Sequence, residues 1–518
     1  MANTLLVCFD SLAYAPGLRL LSALGNAAGH PTYLLFLIKE SATFQDRRFE
    51  TPGELAGFAN LLDELSIDVV GLSVMTPEYH RAVRVAERAR ASGRHVVWGG
   101  IHAAIRPEEC LPYADAVCLT EAEPTWTAYL DETESGGNRR LPNFLLPGEN
   151  AHEVRAAGRL QLIDDLDSLP FPDYDVRHSY YSNGEAILPM GWESYQRLNT
   201  WEGTYYRLLT SRGCPYQCTY CVNNFFWSQF GKHWLRRRTV DNSIAEILWA
   251  REKMPFIRGI NIQDDSFFMG SDEWLDDFCR RYKAEVGLPF IARMIPRFTT
   301  ERRIELLADA GFDYAGIGLQ TGSKRLSLEV YERVQDNEKF LENDWILSKY
   351  GVGKSYDVLV DNPFETERDV LDTIDVLLKL KKPYYVVTYS LTPFPETIFY
   401  DKAKAAGFLD RMTDPYNSAM YATNPANYYT PKTLRWLIET APYIPKCLLR
   451  YCRDHWRGGL VTWLGPKLFS FYKWIIGVIN WGRYKHPWFL RLVLFFARIW
   501  GRLGLRGALP REEVHPEN

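Results

Sequence analysis

The chain has 518 residues, 46% of them hydrophobic, 24% charged and 14% aromatic, with a formal net charge of −4. That length exceeds one ordinary domain and predicts two or three, each able to bury a core. The charge excludes a general attraction to nucleic acid. Nine cysteines, an odd number behind an N-terminus with no basic or long apolar leader, argue against a disulfide scaffold and predict a reducing cytoplasm.

Residues 1–140 alternate strand and helix signals. "TLLVCFD", "PTYLLFLI", "DVVGLSVM", "HVVWGG" and "ADAVCLT" are short apolar strands. "LRLLSALGNAAGH", "TPGELAGFANLLDELS" and "PEYHRAVRVAERARASG" are helices, the second with Thr51 at the N-cap and Pro52 at N1. This pattern predicts a doubly wound, Rossmann-like parallel sheet. Its ligand crevice would be lined by the loops "SVMTPEYH" and "GGIHAAIRP". Residues 141–200, rich in Gly, Pro and Asn, read as a linker.

From 201 to 410 the alternation resumes at a longer period. The strands are "YRLLTS", "GINIQDD", "FIARMI", "YAGIGLQ", "SYDVLVD" and "YVVTYSLTP", with helices such as "DNSIAEILWAREKM" and "TERRIELLADAG" between them. Six βα units predict a partial TIM barrel of the (β/α)6 kind, with chemistry at the C-terminal strand ends. Residues 411–518 look helical. Between 446 and 506 they carry twelve Lys or Arg, one acid and fourteen aromatics. Neither "LFSFYKWIIGVINW" nor "WFLRLVLFFARIW" reaches the roughly 20 apolar residues of a spanning helix.

Chemistry concentrates in "TSRGCPYQCTYCVNN", just after the first barrel strand. Cys214, Cys218 and Cys221 can wrap a loop around one metal centre. Structural zinc usually takes four ligands, often as two pairs, and no second pair lies nearby. Four thiolates complete an ordinary iron–sulfur cluster. Three leave one iron of a four-iron cluster open.

The motif "RGCPYQCTYC" resembles the CxxxCxxC signature of the radical S-adenosylmethionine (SAM) enzymes. That resemblance implies a [4Fe–4S] cluster on Cys214, Cys218 and Cys221, with SAM chelating the open iron and cleaved to a 5′-deoxyadenosyl radical. Tyr220 fills the aromatic position where the family contacts adenine. "INIQDDSFF" matches the segment whose polar end, here Gln263, Asp264 and Asp265, faces the methionyl part of SAM. By itself it is also compatible with a solvated loop. "GIGLQTGSKRL" resembles "GIESGS…L" and puts Gln320 at the SAM ribose; Gln replaces the commoner Glu and can still hydrogen-bond a hydroxyl. Arg293 is either a partner of the SAM carboxylate or a plain surface arginine. Asp361 and Glu396, in "DVLVDNPFET" and "LTPFPET", are read as helix caps.

The N-terminal stretches "GLSVMT", "VVWGGIHAAIRPEE" and "ADAVCLTEAEPTW" resemble the cobalamin-binding domain that precedes many radical SAM cores, and "DDLDSLPFPDYD" resembles their joint. A flavodoxin-like nucleotide module is the blander reading. The DxHxxG cobalamin motif is absent, since Asp10 is followed by "SLAYAPG". This fits the subgroup that binds cobalamin without a histidine ligand. Thr120 and Ala122 replace the glycines of a "GEGE" segment. The candidate cobalamin contacts are Ser73, Met75, Thr76, Gly99, Gly100, His102 and Glu121; His102 is otherwise a surface-loop histidine.

The combined resemblance, to methyltransferase-like cobalamin (B12)-binding radical SAM enzymes, implies methylation of an unactivated carbon by way of methylcobalamin and the deoxyadenosyl radical. Relatives that cyclise or oxidise leave a second reaction class open, and a non-catalytic cobalamin or iron–sulfur binding protein is a third reading. The implied partners are a small-molecule or lipid substrate and an external electron donor of flavodoxin or ferredoxin type, with no nucleic acid. The basic, aromatic 446–506 segment is either a helical cap on the barrel or a peripheral contact with the inner face of the membrane.

Overall fold

The computed structural model describes residues 1–9, 13–37, 51–135, 140–199, 203–265, 267–412, 414–416, 429–459, 461–463 and 467. Asp10 and both long apolar runs of the C-terminal segment therefore lie outside the described residues. The chain divides into two compact units: Met1–Arg293 with Asp309–Gly311 and Thr392–Ala422, and the remainder.

The first unit opens with the expected parallel strands β1 (Thr4–Cys8), β2 (Thr32–Phe36), β3 (Val69–Ser73), β4 (His95–Gly99) and β5 (Ala116–Cys118). Helices Pro16–Ala27, Pro52–Glu64 and Tyr79–Ala91 connect them. Every residue of β1 is buried, as expected of a parallel strand covered on both faces. Leu5, Val7, Val70, Leu72 and Trp98 meet Phe58, Leu62, Val85 and Ala89 in one core.

The sheet is wider than the sequence predicts. The 141–200 segment adds β6 (Phe144–Leu145), β7 (Ser179–Ser182) and β8 (Ile187–Pro189), giving the order β6-β5-β4-β3-β1-β2-β7-β8. β7 lies parallel to β2, whereas β6 and β8 are antiparallel to their neighbours. Strands of two to four residues carry too little periodicity to stand out among Gly, Pro and Asn. Sheet edges are where such short strands belong.

Next come β9 (Tyr205–Leu208), the paired β10 (Ser211–Arg212) and β11 (Arg236–Arg237), β12 (Gly259–Ile262) and β13 (Phe290–Met294). β9, β12 and β13 pair in parallel in that order. In the second unit β14 (Phe312–Gln320), β15 (Gly353–Val360) and β16 (Tyr385–Ser390) do the same. All six strands expected of the second α/β region are thus present. The second unit is pinned internally by Asp344, which accepts from Lys354 and from the Tyr356 hydroxyl at 2.7 Å. Its described C-terminal helices are Lys432–Thr440 and Lys446–Asp454.

The helix Pro52–Glu64 starts with a reciprocal cap: Glu54 N–H donates to Thr51 Oγ1 at 3.1 Å, and Thr51 N–H to Glu54 Oε2 at 3.4 Å. Glu54 also accepts from Ser182 on β7, which ties the added strand to this helix. Thr51→Ala should therefore cost about 1 kcal/mol, the usual worth of a cap. Glu54→Ala should cost about 2 kcal/mol because it also strips a buried hydroxyl of its acceptor. Urea denaturation of the two variants checks the order; equal losses would show that the Ser182 contact contributes nothing.

Candidate active site

The cysteine loop is fixed at its entrance. Asp264, fully buried at the end of β12, accepts from Thr210 N–H at 2.6 Å, Thr210 Oγ1 at 2.5 Å and Ser211 Oγ at 2.6 Å. Arg237 stands 3.8 Å from the same carboxylate and donates to Thr210 Oγ1 at 3.1 Å. Burial pushes the Asp264 carboxyl above its ordinary range, and Arg237 opposes that shift. Gly213 then turns the chain with φ of 86°; a Cβ there would stand 2.4 Å from Trp234 O. Only glycine fits this approach.

Beyond that turn the three thiols follow, none in a disulfide. Cys221 N–H donates to Cys218 O at 3.0 Å, and the helix Asn223–Phe230 begins at once. Burial pushes the Cys214 thiol up to about 12 and the Cys221 thiol up to about 11. Backbone N–H groups of Tyr216 and Asn223 partly oppose this. Such thiols become ligands only when a cationic centre takes the place of their protons. Among the described residues no group of three His, Cys, Asp or Glu closes on a single metal ion. Three thiolates suit a four-iron cluster in which each holds its own iron.

Around the loop, the Asn223 amide donates to Asp265 Oδ2 at 3.1 Å and accepts from Trp234 Nε1 at 3.0 Å. Asp265 is exposed. Gln263 is half-buried and donates to Asn261 Oδ1 at 2.6 Å. Tyr220 lies half-buried in the turn between the last two cysteines, and Arg293 is exposed on β13. Asp264 departs from expectation: with no exposed surface and its oxygens taken by Thr210 and Ser211, it supports the loop from beneath and does not face a ligand. Asn223 and Trp234 were not singled out from the sequence; an amide two residues after Cys221 was the available signal.

In the second unit Gln320 ends β14 with φ of 60°, at a bulge that follows Gly318. Asp361 does not cap a helix. It accepts from Ser390 Oγ at 2.5 Å and Arg435 Nη1 at 2.6 Å, while Thr366 caps the helix Glu367–Lys379. Glu396, in the first unit, likewise pairs with Arg106 at 3.1 Å and leaves the cap to Thr397.

At the C-terminal edge of the first sheet, Ser73, Met75 and Gly99 are half-buried and Gly100 is exposed. Their position outside the strand ends, beside the reversal of order at β1 and β3, is where doubly wound sheets take ligands. Gly100 has φ of 87°, and a Cβ there would stand 2.6 Å from Val74 N. Three expected cobalamin contacts turn inward instead. His102 has no exposed surface and its Nδ1 lies 3.3 Å from the Oγ1 of buried Thr76; it is neither a crevice nor a surface histidine. Glu121 is held by Arg212 and Arg236. The ring of His102 packs against Tyr79 at 4.9 Å and Tyr416 at 5.7 Å. The neutral, half-open edge of Ser73, Met75, Gly99 and Gly100 fits a large, uncharged-faced cofactor bound without a histidine ligand.

A doubly wound domain followed by further parallel α/β structure with a three-thiol loop defines a cofactor-binding α/β protein. The B12 binding domain family matches residues 2–130, and the Radical SAM superfamily matches residues 208–377. An uncharacterized methyltransferase of Pyrococcus horikoshii is 25% identical over 82% of this chain and 87% of its own length. Bacteriochlorophyllide d C-8(2)-methyltransferase of Chlorobaculum tepidum is 23% identical over 72% and 76%. The radical SAM methyltransferase TsrM of Kitasatospora setae, solved with tryptophan and a SAM analogue, shares the fold with a TM-score of 0.62 at 15% identity, covering 87% of this chain and 89% of that one. The chain thus joins a B12-binding region to a radical SAM region and is similar over most of its length to methyltransferases of that build.

Burial lowers His102 from 6.5 to about 4; Arg106 and His80 add to the shift and Glu109 opposes it. The unfolded chain then binds a proton that the folded one refuses. Stability is full above the unfolded value of about 6.5 and is lost as pH falls toward 4, by up to about 3 kcal/mol. His102→Gln should flatten that slope relative to the wild type in urea midpoints taken across the same pH range. Parallel slopes would show that the ring titrates freely.

Proposed function

We propose that the chain is a cobalamin-dependent radical SAM methyltransferase acting on an unactivated carbon of a lipid or natural-product substrate. The observation that carries this reading is the presence, in one compact unit, of a B12-binding region and the three-thiol loop. Methyltransferase relatives that align over most of the chain support it.

When bound, the cluster with SAM supplies a carbon-centred radical and cobalamin supplies a methyl group. The protein's part is placement. Cys214, Cys218 and Cys221 hold the cluster. Tyr220, Gln263, Asp265 and Arg293 are the proposed SAM contacts of the first unit, and for Gln320, in the second unit, the sequence resemblance alone supports that role. Ser73, Met75, Gly99 and Gly100 offer the cobalamin edge. Reduction of the cluster calls for an external one-electron donor.

The assay is anaerobic reconstitution with iron, sulfide, hydroxocobalamin, SAM and a reductant. Both 5′-deoxyadenosine and S-adenosylhomocysteine should form, and a true substrate should gain about 14 Da per turnover, the mass of a methyl in place of hydrogen. Cys218→Ala should lose the visible iron–sulfur absorption and all deoxyadenosine. A loaded wild-type protein that forms neither nucleoside would overturn the enzyme reading. Product of a mass other than the methylated one would favour cyclisation or oxidation.

No helix among the described residues is long and apolar enough to cross a membrane. The helix Lys446–Asp454 nonetheless exposes Leu448 and Tyr451 beside Lys446 and Arg450. We propose peripheral contact of this region with anionic lipid, which apolar anchors among basic residues favour. The double variant Leu448→Glu and Tyr451→Glu should bind phosphatidylglycerol vesicles about tenfold more weakly than the wild type. Equal binding to phosphatidylcholine vesicles by the wild type would sink this contact.

A further inference from the structure

The "TEAE" segment (120–123) of the B12-binding region ends in two glutamates that meet no open crevice. Glu121 accepts from Arg236 Nη2 on Oε1 at 2.7 Å and Arg236 Nη1 on Oε2 at 2.8 Å. Arg212 Nη1 adds a contact to Oε1 at 2.8 Å, and Ile163 N–H donates to Oε2 at 3.0 Å. Glu123 takes the other arm of Arg212, Nη2, at 2.7 Å. Arg212 and Arg236 face each other across the β10–β11 ladder, and Arg212 stands two residues before Cys214.

The four side chains are largely closed to solvent, at 9% for each glutamate, 7% for Arg236 and 21% for Arg212. Burial pushes the Glu121 carboxyl up, but the two guanidinium groups outweigh it and hold it below the ordinary carboxylate range. The backbone behind it is fixed too. The amide of Asn143 donates to Glu121 O at 2.7 Å and to Gln161 O at 2.8 Å.

A closed set of two acids and two bases is a poor way to gain stability, since apolar residues of similar volume would serve about as well. What it supplies is register: forked guanidinium–carboxylate pairs tolerate little displacement. It joins the cobalamin-binding region to the strand that enters the cysteine loop. Group transfer between two cofactors depends on their separation, and small displacements of reacting groups are costly.

Building on the function proposed above, we propose that Glu121 and Glu123 are positioning residues: through Arg212 and Arg236 they set the placement of the cluster loop relative to bound cobalamin, touching neither cofactor. The test uses the reconstituted full chain, with the cluster reduced and cobalamin as cob(II)alamin, so that each carries an unpaired electron. Pulsed dipolar electron paramagnetic resonance then reads their separation. Glu121→Gln should keep wild-type iron and cobalamin content yet broaden the distance distribution at least about twofold. Glu121→Asp should fall between it and the wild type.

Glu123→Gln removes a single contact and serves if Glu121→Gln does not fold; it should broaden the distribution more modestly. An unchanged distribution in the variants that load both cofactors would overturn the proposal. So would loss of cobalamin alone from Glu121→Gln, which would make Glu121 a direct cofactor contact. A wild-type protein that fails to load both cofactors would instead bring down the proposed function, so the two failures are distinguishable.

Discussion

The cysteine loop can present three thiols in one geometry because a buried carboxylate holds its entrance. Asp264 has no contact with water, and it binds the backbone of Thr210 and the hydroxyls of Thr210 and Ser211. Without those donors and the nearby Arg237 the charge would be prohibitively expensive to bury. With them it fixes the end of one parallel strand to the next. The β10–β11 ladder, the glycine turn at Gly213 and the thiols all follow from that anchor.

A second layer of charge extends the same logic. Glu121, Glu123, Arg212 and Arg236 form a closed ionic cluster on the strands just anchored. Charged residues of the sequence motifs are thus used largely within the protein. The edge proposed for cobalamin, Ser73, Met75, Gly99 and Gly100, carries no charge. Burial of His102 as a neutral ring continues the pattern.

Much of the architecture was legible. The strands β1 to β5 lie where runs of Val, Ile, Leu and Phe placed them, because parallel strands buried on both faces are continuously apolar, and the six later strands lie where short apolar runs between helices placed them. The Thr51 cap was equally clear, since a Thr-Pro pair ahead of a periodic helix has few other uses. The 141–200 segment was not, because β6, β7 and β8 are too short for periodicity to register. Among side chains, glycines and cysteines were readable and acids were not. Asp264, Asp361 and Glu121 each occupy a position where a ligand contact or a cap was expected, and each is taken by a distant base or hydroxyl. Such partners, from 27 to 115 residues away, leave no local trace.

By itself the sequence determined the two α/β patterns, the three-thiol loop and the resemblance that joins a B12-binding region to a radical SAM core. Those follow from residue spacing, which is local: two gaps and a glycine define a ligand loop whatever surrounds it. Only the tertiary structure decided which polar groups remain available to a cofactor. A carboxylate or imidazole looks the same in sequence whether it faces a crevice or an arginine. Its role is set by desolvation and by the partner that folding brings to it. That is why Asp264, His102 and Glu121 changed their reading.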